Sequence, residues 1–392
     1  MKEKNPYLAE RLQDFGTTIF AEMSALAVST NSINLGQGFP DTDGPKQVAE
    51  AAIKAIRDGH NQYPPGLGIE TLRIAVSDHQ KRFYGIETDP DTEVLITAGA
   101  SEALAASLIA LVEPGQEVVT FEPYFDVYAA AIAMAGGTRR VVTLQTPDYS
   151  FDYEDLKAKV NSNTRLILLN SPHNPTGKVF NRQELVQIAE LAVEKDILVI
   201  TDEVYEHLVF DGQSHIPIST LPDMAERTLT ISSAAKTFGF TGWKIGWAHG
   251  PSELLSAVRT AKQFLTYVNG APFQHAIAEA LQLEDDYYNG LSLDMENKRD
   301  ILCNGLEEAG FEVFNPSGTY YATVDIRPLG EESGIEFCWD LPNRCGVVAV
   351  PNEVFYDNKT IGRPLVRFAY CKKPEVLKHA VEKLVSLKEA KK

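Results

Sequence analysis

Two lysines eight positions apart, Lys236 and Lys244, lie in the run SSAAKTFGFTGWKIGW, directly after residues that read as a buried strand. A primary amine in that setting can simply snorkel to water, or it can attack a carbonyl carbon and form a Schiff base. The second use needs a neutral amine. Burial and a neighbouring cation both push a lysine below the roughly 10.4 of the free side chain. Lys244 supplies that cation, and the alanines before Lys236 leave room for a flat ring.

Other reactive groups stand at comparable places. Asp202 ends the apolar run ILVITD, where a carboxylate needs a helix cap, an ion pair or a protonated ring nitrogen as its partner. Tyr205, three residues on, can reach an oxygen on the same ring. Asn174 in NSPHNPTG is either plain turn or a fixed amide aimed at a ring oxygen. The trailing TGK is not a phosphate loop, because Pro172 stands where glycine is required and Val179 where Ser or Thr is. TAGASEAL passes from strand to helix, so the N–H groups of Ala100 and Ser101 meet the positive end of a helix dipole and suit a phosphate. Ser233 and Lys244 add a hydroxyl and an ammonium. Phe125 in EPYFDVY is either core or a stacking surface. Arg367 in LVRFAY is either an exposed strand residue or a bidentate clamp on a carboxylate. Tyr63, in NQYPPGLG, says little by itself.

The elements that must hold these residues follow from hydrophobic rhythm. Short β-rich runs recur at 93–98, 117–122, 140–144, 165–170, 197–202, 228–232 and 244–248, mostly apolar on both faces, as strands of a buried parallel sheet are. Helical spacing separates them at 101–112 and 182–196, and Asn181 with Glu184 makes a capping box for the second. The alternation predicts a large three-layer α/β domain with a mostly parallel central sheet over 45–290. Residues 291–392 read as helix plus a small antiparallel sheet, an α+β subdomain joined by the N-terminal segment 1–44. Ligands of open α/β sheets sit beyond the carboxyl ends of the strands. Ser101, EPYF, NSPHNPTG, DEVY and SSAAK all fall there, so their loops are expected to converge.

Bulk properties narrow the partners. The 392 residues carry 54 acids against 36 bases, a formal charge of -18, which argues against nucleic acid and anionic membranes but leaves room for a small anion in a local basic pocket. The four cysteines, Cys303, Cys338, Cys345 and Cys371, form no C-x-x-C pair and read as reduced thiols of a cytoplasmic protein. No apolar stretch suits a signal sequence or a membrane span, and the terminal LKEAKK reads as a fraying helical tail. No metal-ligand spacing, G-x-S-x-G or complete dinucleotide fingerprint is present.

NSPHNPTG, TDEVY and SSAAKTFGFTGWKIGW, in this order and spacing, resemble the class I aminotransferases of the fold-type I pyridoxal 5′-phosphate (PLP) enzymes. The likeness runs from INLGQGFPD to LVRFAYCK. It implies that Lys236 joins the cofactor as an imine, that Asp202 partners the pyridine nitrogen, that Asn174 and Tyr205 bond the ring hydroxyl, and that Phe125 stacks on the ring. Ser101, Ser233, Lys244 and the Ala100 backbone match the phosphate cup; many relatives carry arginine where Lys244 stands. Arg367 and Asn174 match the clamp on the substrate α-carboxylate, with the Gly38 backbone nearby. Phe20 and Tyr124 would line the side-chain pocket. Tyr63 matches a residue that reaches the neighbouring subunit's phosphate, so a homodimer is implied. The expected reaction is ping-pong transfer of an amino group from an L-amino acid to a 2-oxo acid such as 2-oxoglutarate. GQGFPD, NQYPPGLG and APFQ are similar to a subgroup of N-succinyl-LL-diaminopimelate and kynurenine/glutamine aminotransferases, and RPLG with FCWDLPNRCGVVAVP leans toward the first. A PLP-dependent cysteine-S-conjugate β-lyase would share these residues. A non-catalytic PLP-binding module is the third reading, disfavoured by the retained Lys236.

Overall fold

The computed structural model describes residues 5–389. Seven strands form the central sheet: β1 (Val94–Thr97), β2 (Glu117–Glu122), β3 (Thr138–Thr143), β4 (Thr164–Asn170), β5 (Leu198–Asp202), β6 (Thr228–Ser233) and β7 (Gly246–His249). They are ordered β1-β7-β6-β5-β4-β2-β3; β7 runs antiparallel to both its neighbours and every other pair is parallel. All seven strands expected from the sequence are present. The last starts two residues later than its apolar run because Lys244 takes a left-handed backbone, φ 55°, which cannot continue a strand.

Helices cover both faces, as the two-sided apolar pattern requires. On one face Val118, Leu166, Leu168 and Leu229 pack with the helices Gly99–Leu111 and Asp126–Ala135; on the other Val119, Ile167 and Val199 meet the helix Arg182–Glu194. That last helix carries the expected capping box: the Asn181 side chain accepts from the Glu184 N–H, and the Glu184 carboxylate accepts from the Asn181 N–H.

A second sheet follows, β8 (Glu312–Phe314), β9 (Tyr321–Asp325), β10 (Val350–Pro351) and β11 (Leu365–Ala369), antiparallel in the order β10-β11-β9-β8. Its core also holds Met23 and Leu35, and Ile33–Asn34 pairs in parallel with Val347–Val348. The N-terminal segment therefore packs with the C-terminal subdomain. The helix Asp285–Ala309 runs unbroken through residue 290. The final helix, Pro374–Glu389, includes the start of LKEAKK, whose last three residues lie outside the described residues. Among the described residues no helix is long and apolar enough to cross a membrane, and all four cysteines are free.

Candidate active site

A cavity of about 150 Å³ lies beyond the carboxyl ends of β4, β5 and β6, enough for a flat ring with a small anionic tail. It brings together nine of the residues singled out from the sequence: Ala100, Ser101, Phe125, Asn174, Asp202, Tyr205, Ser233, Lys236 and Lys244. Lys236 sits in the single turn Ala234–Thr237 directly after β6, with its Nζ 5.8 Å from the Tyr205 ring centroid and 5.5 Å from that of Tyr320. Burial is the main force lowering its pKa to about 8; Lys244 and Arg367 push the same way, and Cys371 and Asp202 oppose. About a tenth of the amine is thus neutral at pH 7, far more than for a free lysine.

Asp202 ends β5 and is 3% exposed. Its Oδ2 accepts from the Tyr128 hydroxyl at 2.7 Å and its Oδ1 from the Val204 N–H at 3.3 Å. Burial raises the carboxyl to about 6 against those hydrogen bonds and the pull of Lys236. A cationic ring nitrogen is the partner that would bring it back down.

The opposite end of the cavity is a cup. The helix Gly99–Leu111 opens there, and its first-turn N–H groups lack intrahelical partners. Gly246 leaves no room for a side chain: a Cβ would stand 2.5 Å from the Gly99 carbonyl carbon and 2.7 Å from the Ala100 nitrogen. Lys244 reaches over Gly99, held in its left-handed turn by Asn269, whose Nδ2 donates to the Lys244 and Thr97 carbonyls at 2.8 and 3.0 Å.

Five other sequence candidates lie outside this cavity's lining. Arg367 is fully buried on β11, not an exposed strand residue. Its NH1 donates to Asn174 Oδ1 and its NH2 to the Gly36 carbonyl, each at 3.0 Å, while Nε has no partner. Phe20, Tyr321 and Phe355 surround the guanidinium at 5.0, 3.9 and 5.2 Å. Among the described residues no carboxylate is within ion-pair distance of it, so a buried cation waits for an anion. Gly38 accepts from the Tyr320 hydroxyl at 2.5 Å, and a Cβ there would collide with Tyr320 and Tyr321. Tyr124 is buried, with its hydroxyl donating to Asp357 at 2.5 Å. Tyr63 is 81% exposed, edge-on to Tyr267.

Residues 30–384 match the family described as aminotransferase class I and II. The chain belongs to this family. A probable N-succinyldiaminopimelate aminotransferase of Mycobacterium tuberculosis is 50% identical over 97% of this chain and 98% of its own length. The methionine aminotransferase of Escherichia coli is 38% identical over 98% and 99%. The solved structure of the N-succinyldiaminopimelate aminotransferase from M. tuberculosis superposes with a TM-score of 0.95 at 50% identity, covering 97% of this chain and all of that one. The Thermus thermophilus aspartate aminotransferase, a double mutant, gives 0.90 at 31% identity. The chain is therefore a fold-type I aminotransferase, and its cofactor is PLP.

The aminotransferase has the donor set this cofactor requires: an amine of lowered pKa, a buried carboxylate short of a cation, and a cup of N–H, hydroxyl and ammonium donors too tight for a side chain at Gly246. Four further residues escaped the sequence reading. Tyr128 holds Asp202, and lies three positions after Phe125 on one helical face. Asn170 accepts from the Asn174 N–H at 2.7 Å and donates to the Asp202 carbonyl at 2.8 Å, fixing two strand ends at once. Tyr320 and Tyr321 come from the second sheet, and only their aromaticity in SGTYYATVDI marked them. His79, Glu206 and His207 also meet away from the cavity, with the two imidazole Nε2 atoms 2.7 Å apart and hydrogen-bonded to each other.

Proposed function

We propose that this aminotransferase takes the amino group from N-succinyl-LL-diaminopimelate or a close analogue and passes it to 2-oxoglutarate, through Lys236. The donor is supported by the full-length relative from M. tuberculosis at 50% identity. The observation that carries the chemistry is the uncompensated Arg367, buried beside Asn174 within electrostatic range of Lys236.

PLP, when bound, supplies an aldehyde carbon and a cationic ring that accepts electrons from the substrate α-carbon. The chain's residues do the rest. Lys236 would hold the cofactor through its amine and, when that amine is free, would serve as the base that carries the α-proton. Asp202, aligned by Tyr128, keeps the ring nitrogen protonated. Tyr205 and the free amide nitrogen of Asn174 bind the ring oxygen, while Phe125 covers one face of the ring. Ser101, Ser233, Lys244 and the Ala100 N–H hold the phosphate. Arg367 grips the α-carboxylate with its unpartnered N–H groups, Gly38 lies beside it, and Phe20 and Tyr124 border the side chain. Residues 45–290 then form the cofactor domain, and 1–44 with 291–392 the domain that closes the substrate side.

A homodimer with Tyr63 lent to the partner's phosphate fits the exposed aromatic pair Tyr63 and Tyr267, edge-on to each other and 81% and 51% exposed. Four free cysteines and the strongly acidic surface suit the cytoplasm. A panel of donors against 2-oxoglutarate, covering the succinylated diamino acid, kynurenine, glutamine and methionine, tests the substrate. The succinylated compound should have the highest kcat/KM, and a tenfold preference for another donor would reject it. Lys236→Ala should cost on the order of 10⁴-fold in turnover and leave the chain unable to bond the cofactor covalently, read by borohydride trapping.

A further inference from the structure

Outside the cavity, two imidazoles and a carboxylate meet in one small space. Glu206 and His207 directly follow Tyr205, and His79 reaches them from the helix Glu70–Tyr84, across 128 residues of chain. No short window of sequence holds both histidines, so spacing along the chain could not reveal them. The two Nε2 atoms are 2.7 Å apart, and one ligand atom from each of the three residues lies within 4.8 Å of the others. Aromatic rings wall the group in: Phe83 stands 4.8 Å from the His79 ring and 4.7 Å from the His207 ring, and Tyr288 stands 4.5 Å from the latter. His207 is half-buried, which leaves a way in from solvent.

We propose that His79, Glu206 and His207 form a binding site for a divalent, imidazole-preferring metal ion such as zinc, which ties the helix Glu70–Tyr84 to the chain that carries Tyr205. The inference is independent of the donor proposed above. Two imidazoles and one carboxylate are a ligand set that zinc accepts, with water completing the coordination. Metal bonds of about 2.0–2.2 Å put neighbouring ligand atoms about 3.4 Å apart, so the carboxylate must swing inward by about 1 Å and the nitrogens must part by slightly less. Small side-chain rotations cover both.

The surroundings ask for a cation and not only for packing. Glu206 is 4% exposed, and burial pushes its carboxyl up to about 6, against the hydrogen bond that Ser232 gives it at 2.6 Å. Its neighbour Glu203 has His215 as a partner at 2.7 Å, but among the described residues no lysine or arginine is paired with Glu206. Burial keeps both imidazoles neutral, the form that offers a lone pair. The bond between them needs a proton on one Nε2; His79 carries it, because its Nδ1 accepts from Gln80 Nε2 at 3.3 Å. Binding an ion moves that proton to His79 Nδ1, with no net proton lost. The acceptor it then requires is at hand: Gln80 Oε1 is buried without a hydrogen-bond partner, and a half-turn of the amide brings it to His79 Nδ1. Metal-binding histidines have such an acceptor on their other nitrogen.

The test is zinc chloride binding to the holoenzyme after a chelator has stripped it of metal and been removed. Wild type should take up about one zinc per chain at this site, and the bound ion should raise the thermal midpoint. His207→Gln should weaken the affinity by about 100-fold or more, and Gln80→Leu, which keeps all three ligands but removes the acceptor, by about 10-fold. Normal PLP absorbance in each variant shows that it folds. Cobalt in place of zinc gives a reading that needs no variant: wild type should show visible bands beyond the cofactor's absorbance and a far-shifted, exchangeable N–H proton resonance from each coordinated imidazole. Zinc held equally well by wild type and His207→Gln would assign it to surface carboxylates or Cys345 and overturn the site. Cobalt binding without the imidazole resonances would overturn it as well, whether or not the variants fold.

Discussion

The wall of the cavity that carries Asp202, Tyr205, Ser233 and Lys236 is cut from the ends of two adjacent parallel strands, β5 and β6, and spans residues 202–236. The second wall stands beside the cavity and reaches its lining only through Tyr321; it is assembled from Gly36 and Gly38 of the N-terminal segment, Tyr320 and Tyr321 at the start of β9, and Arg367 on β11. The first wall is local, so the sheet that makes it also positions it. The second depends on chain ends meeting across hundreds of residues, and on a glycine that lets two tyrosines approach the backbone. The walls should therefore fail separately: damage to one weakens the cofactor, damage to the other the substrate.

Arg367→Lys is the larger of two paired tests. Lysine keeps the charge but loses the planar fork, and it leaves Asn174 and the Gly36 carbonyl without their donors. We expect kcat/KM for the amino donor to fall by about 100-fold to 1,000-fold, with the cofactor Kd within about twofold of wild type. Steady-state kinetics and a cofactor titration of the apoenzyme measure the two quantities. A parallel fall in cofactor affinity would merge the walls into one unit.

The mirror change is Lys244→Ala, which removes one ammonium from the phosphate cup and empties the space above Gly99. Loss of one charge-assisted hydrogen bond should weaken cofactor binding by about 10-fold to 100-fold while KM for the donor moves by less than about twofold in saturating PLP. The same titration reads it. A large rise in KM under those conditions would show that the cup orients the substrate as well.

Legibility in the sequence divides along the same line. Lys236, Asp202, Asn174 and Ser101 were readable because each follows an apolar run, and strand-end position is a local property. The seven strands and the Asn181 capping box were readable for the same reason. Arg367 was ambiguous because period-two alternation places it opposite its apolar neighbours, which normally means solvent; here β11 is covered on both sides and the guanidinium is sealed beneath Phe20, Tyr321 and Phe355. Tyr128, Asn170, Tyr320 and Tyr321 act through partners distant in sequence, such as the Tyr128–Asp202 bond across 74 residues, and no window along the chain contains both ends. Tyr63 is exposed and lies outside the cavity's lining, and only the family resemblance gave it a role.

The two walls also carry their buried charge differently, and stability of the apoenzyme separates them. Burial lowers Lys236 from 10.5 to about 8, so between those values the unfolded chain binds more protons than the folded one and stability rises with pH. Below pH 8 the folded protein bears the full cost of a buried ammonium, about 3 kcal/mol by that shift. Lys236→Met removes it, so apo Lys236→Met should be the more stable protein at pH 7, and the gap should close by roughly 2 kcal/mol at pH 9.5. Arg367 has no such escape, because a guanidinium keeps its proton across this range. The stability difference between wild type and Arg367→Met should therefore change much less between the two pH values, and only through the part of the Lys236 shift that Arg367 causes. Urea unfolding of the three apoenzymes at pH 7 and 9.5 decides it, because groups that do not touch the replaced cation cancel in the differences and Asp202, which Lys236 pulls down, titrates mainly below this range; a pH-independent gap for Lys236→Met would mean the amine is solvated in the apoenzyme and that its wall is less tightly closed than Arg367's.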